Sequence, residues 1–182
     1  MAGRDRIRTD LALEATERFK EENVEVHGVE VREKYDKEKD VRTTVVRITT
    51  ENGAKTMGKP QGTYITIEAP DLSVPDEDYH RGISQVLAHH LKELLHLEKE
   101  KSILVVGLGN REITPDALGP QVIQNLKITR HIIKEYGKAG MGKRKAHQIS
   151  SLVPGVMAQT GMETMEIIRG VIRETDPDAV IA

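Results

Sequence analysis

Hydrophobic and polar positions change period several times along the chain. From Asp10 to Glu22, "DLALEATERFKEE", the residues Leu11, Ala15 and Phe19 recur at helical spacing behind a capping Asp10, which predicts a first helix. The period then falls to two. "VEVHGVEV" and "VRTTVVRITT" alternate and are rich in β-branched residues, and the charged "REKYDKEKD" between them reads as the solvated tip of a long hairpin. "GTYITIEAP" predicts a third strand, closed by Pro70. A helical stripe of Ile83, Val86, Leu87, Leu91, Leu94 and Leu95 predicts a long amphipathic helix within residues 74–97.

The second half reads differently. "KSILVVGLG" is a short, continuous apolar run, the mark of a strand buried on both faces of a parallel sheet. A helix is expected to begin near Thr114–Pro120, "ETMEIIRGVIRE" predicts another, and "DPDAVIA" a final strand. Strand, helix, loop, helix, strand is the alternation of an α/β protein with a doubly wound sheet, so a three-layer fold around one mixed sheet is expected. Domains seldom stop on the last residue of a core strand, so the sequence is expected to be a fragment, cut short at the C-terminal side.

Composition narrows the chemistry. The chain has 182 residues, enough for one domain with a substantial core, and its 37% hydrophobic and 31% charged residues are those of a soluble globular protein. With no cysteine, thiolate nucleophiles, disulfides and cysteine-ligated zinc are excluded. A net charge of −2 argues against gripping nucleic acid by overall charge, and no direct nucleic-acid partner is expected. No apolar run approaches the roughly 20 residues of a membrane helix. The start "MAGRDRIRTD" lacks the apolar core of a secretory signal. A cytoplasmic protein without membrane contact is expected.

The stretch "VVGLGNREITPDALGP" (residues 105–120) carries the most specific chemistry. Gly107 and Gly109 end the apolar strand, at the edge where α/β proteins place their sites. The dinucleotide fingerprint needs a third glycine, and Glu112 stands there instead. No Walker lysine follows. Asp116 is the alternative. With Thr114 as N-cap and Pro115 at the first helical position, Asp116 falls in the first helical turn, unless Pro120 delays the helix. Two readings stay open: a carboxylate that only stabilises a helix end, or a general base. Two carboxylates sharing a proton activate water for peptide hydrolysis. Asp176 and Asp178 precede the last strand and belong at its opposite end, so neither is expected to be the partner.

"SLVPGVMAQTGMET" (Ser151–Thr164) reads as a strand-to-helix loop with Thr160 or Thr164 as cap, or as a lining that meets a peptide backbone; Gly155, Gln159 and Thr160 are the binding candidates, with Gly109 and Asn110. His89, His90 and His96 share a helix but lack the i, i+4 spacing of a zinc pair, and Glu93 is three or four residues from two of them. No metal and no cofactor is expected. "KAGMGKRKAHQ" reads as a solvated basic loop. No Gly-x-Ser-x-Gly elbow supports a serine triad.

Taken in order, "RTDLALEA", "VVGLGNREITPDALGP", "SLVPGVMAQTGMET" and "PDAVIA" resemble the germination protease family of spore-forming bacteria, peptidase family A25. The resemblance implies an α/β fold of the hydrogenase maturation protease type (phosphorylase/hydrolase-like) and an aspartic-type endopeptidase. It implies that Asp116 is one catalytic aspartate and that the second lies beyond Ala182, so that this chain alone is expected to be inactive. It further implies a zymogen that cuts itself between Asp10 and Leu11, giving a propeptide over residues 1–10 and a single protease domain over 11–182. The implied partners are small acid-soluble spore proteins, the chain's own propeptide and three further copies in a homotetramer, in the forespore or spore core. The alternative is a non-catalytic metal- or peptide-binding relative of the hydrogenase maturation proteases.

Overall fold

A computed structural model describes residues 27–97, 100–137 and 147–182. The predicted first helix, the Asp10–Leu11 processing site and most of the basic loop lie outside the described residues. The chain divides into two compact units, Met1–Leu94 and Leu95–Ala182.

In the first unit, strands β1 (Val29–Asp36), β2 (Val41–Ile48) and β3 (Gly62–Glu68) form an antiparallel sheet in the order β1-β2-β3. The hairpin is longer in strand and shorter in tip than its charge pattern predicts. β1 runs through Arg32, Glu33 and Lys34, and only residues 37–40 turn. The physical reason is position: β1 is an edge strand, where charged side chains remain in water and discourage pairing with another chain. Asp36 closes the turn by accepting hydrogen bonds from the Glu38 and Lys39 amides at 3.0 and 3.2 Å. Tyr35 donates to Asp40 at 2.6 Å, and this bond to the carboxylate, ahead of burial, raises the phenol pKa above its ordinary value.

One face of the sheet carries a small core of Val46, Ile48 and Met57, with Val29, Val31, Ala54 and Tyr64 against it. Met57 comes from α1 (Glu51–Met57), a helix that the sequence reading lacks. Its Asn-Gly pair looks like a turn, yet Thr50 caps the helix by accepting from the Gly53 amide at 3.1 Å. Gly58 ends it in the left-handed conformation at φ 63°. The long helix α2 (Glu77–Leu95) matches its prediction. Asp76 starts it by accepting from the Asp78 and Tyr79 amides, both at 3.0 Å. Its predicted inner stripe is a different matter. None of its residues is fully buried, and Leu87 and Leu94 are exposed.

In the second unit, β4 (Ser102–Val106), β5 (Gln148–Leu152) and β6 (Ala179–Ile181) form a parallel sheet in the order β5-β4-β6. The central β4 is the predicted buried strand: Ile103, Leu104 and Val106 are all buried. Between β4 and β5 lie α3 (Leu118–Asn125) and α4 (Arg130–Tyr136); between β5 and β6 lie α5 (Met157–Thr160) and α6 (Thr164–Thr175). Ile168 of α6 packs on Leu104 and Val106. The buried Thr129 fastens α4 to β5: its hydroxyl donates to the His147 carbonyl at 2.5 Å and accepts from the Ile149 amide at 2.9 Å.

The fold is therefore mixed α/β, as expected, but among the described residues its strands form two three-stranded sheets and not the one mixed sheet of the sequence reading. Chain connectivity explains the division. β1 and β2 are joined by a tight turn and pair antiparallel, β3 returns antiparallel to β2 after the short helix α1, and β4, β5 and β6 are separated by longer helical crossovers and pair parallel. The α6 cap is also corrected. Neither Thr160 nor Thr164 caps it; Glu163 and Glu166 form a reciprocal capping box, with the Glu163 amide donating to Glu166 at 2.9 Å.

Candidate active site at the carboxyl edge of the parallel sheet

The order β5-β4-β6 places the first strand in the middle, so the chain crosses from one side of β4 to the other. In open α/β sheets a ligand crevice lies beyond the carboxyl ends of the strands at such a reversal. Three segments leave this edge: the loop after β4, the loop after β5, and the end of β6. The first two are tied together where the Gly107 amide donates to the Leu152 carbonyl at 2.8 Å.

The loop after β4 is folded back on itself by glycines. A Cβ on Gly107 would lie 2.5 Å from the Gly119 carbonyl oxygen and 2.6 Å from the Ile123 side chain. A Cβ on Gly119 would lie 2.7 Å from the Leu108 nitrogen. Gly109 has φ 121°, and a Cβ there would overlap the Asp116 carbonyl oxygen. These are backbone-to-backbone approaches, and they bring the start of α3 against the strand end. The sequence reading singled out Gly107 and Gly109 but missed Gly119; its only signal was the Gly-Pro pair that closes the motif.

Asp116 sits within this fold-back. The Asn110 amide donates to the Asp116 carbonyl at 3.0 Å, and the Asp116 amide donates to the Ile113 carbonyl at 2.8 Å. The Asn110 side chain is taken up locally, accepting from the Glu112 amide at 3.0 Å. Of the two registers that the sequence leaves open, the later one holds. Ile113, not Thr114, is the cap residue of a 3-10 turn over Thr114–Asp116, and α3 begins only at Leu118. Pro120 lies inside the first turn of α3, where its missing N–H is harmless. Asp116 thus precedes the α-helix. Its side chain is exposed, and among the described residues its carboxylate makes no hydrogen bond or ion pair. Every bond that fixes it comes from its backbone. The carboxylate is left open for chemistry.

The second group of candidates follows β5. Gly155 has φ 72°, and the Gln159 Oε1 lies 3.1 Å from where its Cβ would be. The Thr160 hydroxyl is used in the turn, donating to the Met162 carbonyl at 3.1 Å and accepting from the Met162 amide at 3.2 Å. So Gly109, Asn110 and Asp116 form one group and Gly155, Gln159 and Thr160 another. Both follow carboxyl ends of neighbouring parallel strands, and no hydrogen bond joins them among the described residues. Asp178 lies at the opposite edge, bonded through its amide and carboxylate to Ser102 at 2.8 and 2.7 Å. Asp176 ends α6. Neither joins Asp116, as expected.

The family model described as germination protease matches residues 7–182. The chain belongs to the germination protease family. It is 49% identical over 175 residues to a germination protease from Caldanaerobacter subterraneus subsp. tengcongensis, covering 96% of this chain and 52% of that protein. It is 44% identical to one from Clostridium tetani over 96% of this chain and 53% of the relative, and 39% identical to one from Priestia megaterium over 97% and 49%. The chain spans about half the length of these curated relatives. No helix among the described residues is long and apolar enough to cross a membrane.

Proposed function

We propose that this chain carries one half of an aspartic-type endopeptidase site that initiates breakdown of small acid-soluble spore proteins. The observation that supports it most is the mounting of Asp116: a carboxylate held by its backbone at the carboxyl edge of a parallel sheet, with its side chain uncommitted. In this reading Asp116 shares a proton with a second aspartate placed just after the strand Ala179–Ile181. β6 is parallel to β4, so a residue following it emerges at the same edge.

The chemistry balances with two carboxyls and one proton. The ionised member takes a proton from water, whose oxygen attacks the peptide carbonyl carbon. The protonated member gives its proton to the carbonyl oxygen. Collapse of the tetrahedral intermediate breaks the carbon–nitrogen bond; a carboxyl proton passes to the leaving nitrogen, and one hydroxyl of the intermediate returns its proton to the ionised carboxylate. The loops offer an apolar setting for the peptide. Leu108, Ile113 and Leu118 flank Asp116 in sequence and are exposed, Leu118 by 75%, and Met157 and Met162 are exposed on the loop after β5. Gly109 and Gly155 would let a peptide backbone approach closely, with Gln159 beside it. Such a surface suits cuts next to apolar residues, including one between Asp10 and Leu11 that would release residues 1–10. The zymogen, the homotetramer, the forespore setting and a fold of the hydrogenase maturation protease type belong to the same proposal.

The test is the pH dependence of cleavage by the product of the full reading frame. A pair sharing one proton is active only between its two ionisations, so the rate should describe a bell. A rate that stays flat from about pH 5 to about pH 8 would contradict a shared proton.

A further inference from the structure

A second site is built in the other unit, far in sequence from Asp116. A cavity of about 420 Å³ opens between the β1–β2 hairpin and α2, within the range of small-molecule sites. Strand alternation and cross-strand register explain its wall. Arg32, Lys34 and Asp36 alternate along β1 and stand opposite Val45, Thr43 and Val41 of β2. All six line the cavity, and Val86, His89 and His90 line it from α2. Its surface is thus aliphatic at Val41, Val45 and Val86 and cationic at Arg32, Lys34 and Lys39.

The charges are unequally committed. Of the two lining carboxylates, Asp36 already accepts two amide hydrogen bonds of the turn, and Glu33 lies 3.5 Å from Arg42. Lys34 and Lys39 have no ion pair among the described residues. The His90 Nδ1 is the buried side-chain polar atom left without a hydrogen bond among the described residues. Glu93 stands 3.4 Å from it and 3.6 Å from His89, as the helical spacing foreshadowed. Two ammonium groups without ion partners among the described residues, beside an aliphatic wall, describe a receptor for something negative with a carbon body.

The geometry points to a binding site for a small multivalent oxyanion, a polycarboxylate or a phosphate compound, held by Lys34 and Lys39 between β1 and α2. It is independent of the peptidase reading. The shared chemistry is a cluster of anionic oxygens met by ammonium donors.

The 182-residue chain, labelled with nitrogen-15, would be titrated with citrate, with inorganic phosphate and with sodium chloride as the ionic-strength control. Citrate should shift amides of β1, β2 and the middle of α2 at concentrations where chloride does not. The double variant Lys34→Gln with Lys39→Gln should weaken citrate binding about tenfold, the loss expected for charge-assisted hydrogen bonds at an open site. The equal-charge control Lys55→Gln with Lys92→Gln should leave it unchanged. A stronger response to citrate than to phosphate assigns the aliphatic wall to a carbon body; an equal response assigns recognition to the cations, and both support the site. No shift with either anion, shifts located elsewhere, or equal weakening in both double variants would overturn it.

Discussion

Asp116→Asn should lower peptide cleavage by about a hundred- to ten-thousand-fold, the range for losing a positioned acid–base group. The amide cannot hold or release the proton that the reaction moves. The fold should survive, because the carboxylate makes no bond among the described residues while the Asp116 amide and carbonyl make the bonds that close the loop. Thermal or urea unfolding should therefore shift little, and the loss should appear in kcat. A variant that unfolds as well would make Asp116 a structural residue and leave the chemistry without its carboxylate. One that cleaves normally would contradict a catalytic role for Asp116.

Gly109→Ala should have the largest effect on stability, about 2–5 kcal/mol from a disfavoured backbone angle together with a steric overlap. The overlap is with the Asp116 carbonyl, the acceptor of the Asn110 amide. Relief requires the fold-back to open, so activity should fall with stability. Gly161→Ala is the contrast. Gly161 also has a positive φ, 68°, but open space surrounds the position of its Cβ. Its replacement should cost only about 1 kcal/mol, from backbone strain alone. Urea denaturation of the two variants separates them. Equal losses would mean that the close approach at Gly109 contributes nothing.

The sequence disclosed most where local pattern and burial agree. Ile103–Val106 is apolar throughout because the central strand β4 buries residues on both of its faces, and its glycine exit marked the candidate edge. The extent of α2 and the distance of Asp178 from the carboxyl edge were legible too: each depends on neighbours close in sequence or on chain direction. What escaped depends on distant parts of the chain. Gly119 is required by Gly107 and Leu108, which meet it only after the loop turns back. The charged residues of β1 look like a loop until its edge position is known. The short helices α1 and α4 lean on tertiary partners, Met57 on Val46 and Ile48, and Thr129 on β5. The division into two sheets likewise depends on pairing across long separations, which periodicity does not record.

Self-cleavage is the most direct test of the central claim. The product of the full reading frame and its Asp116→Asn variant would be held at mildly acidic pH and their intact masses followed. The account predicts that the native protein loses residues 1–10 while the variant keeps them. Loss of the same residues in both proteins would contradict a catalytic Asp116, and cleavage in neither, with spore-protein substrate also left whole, would contradict the peptidase reading itself.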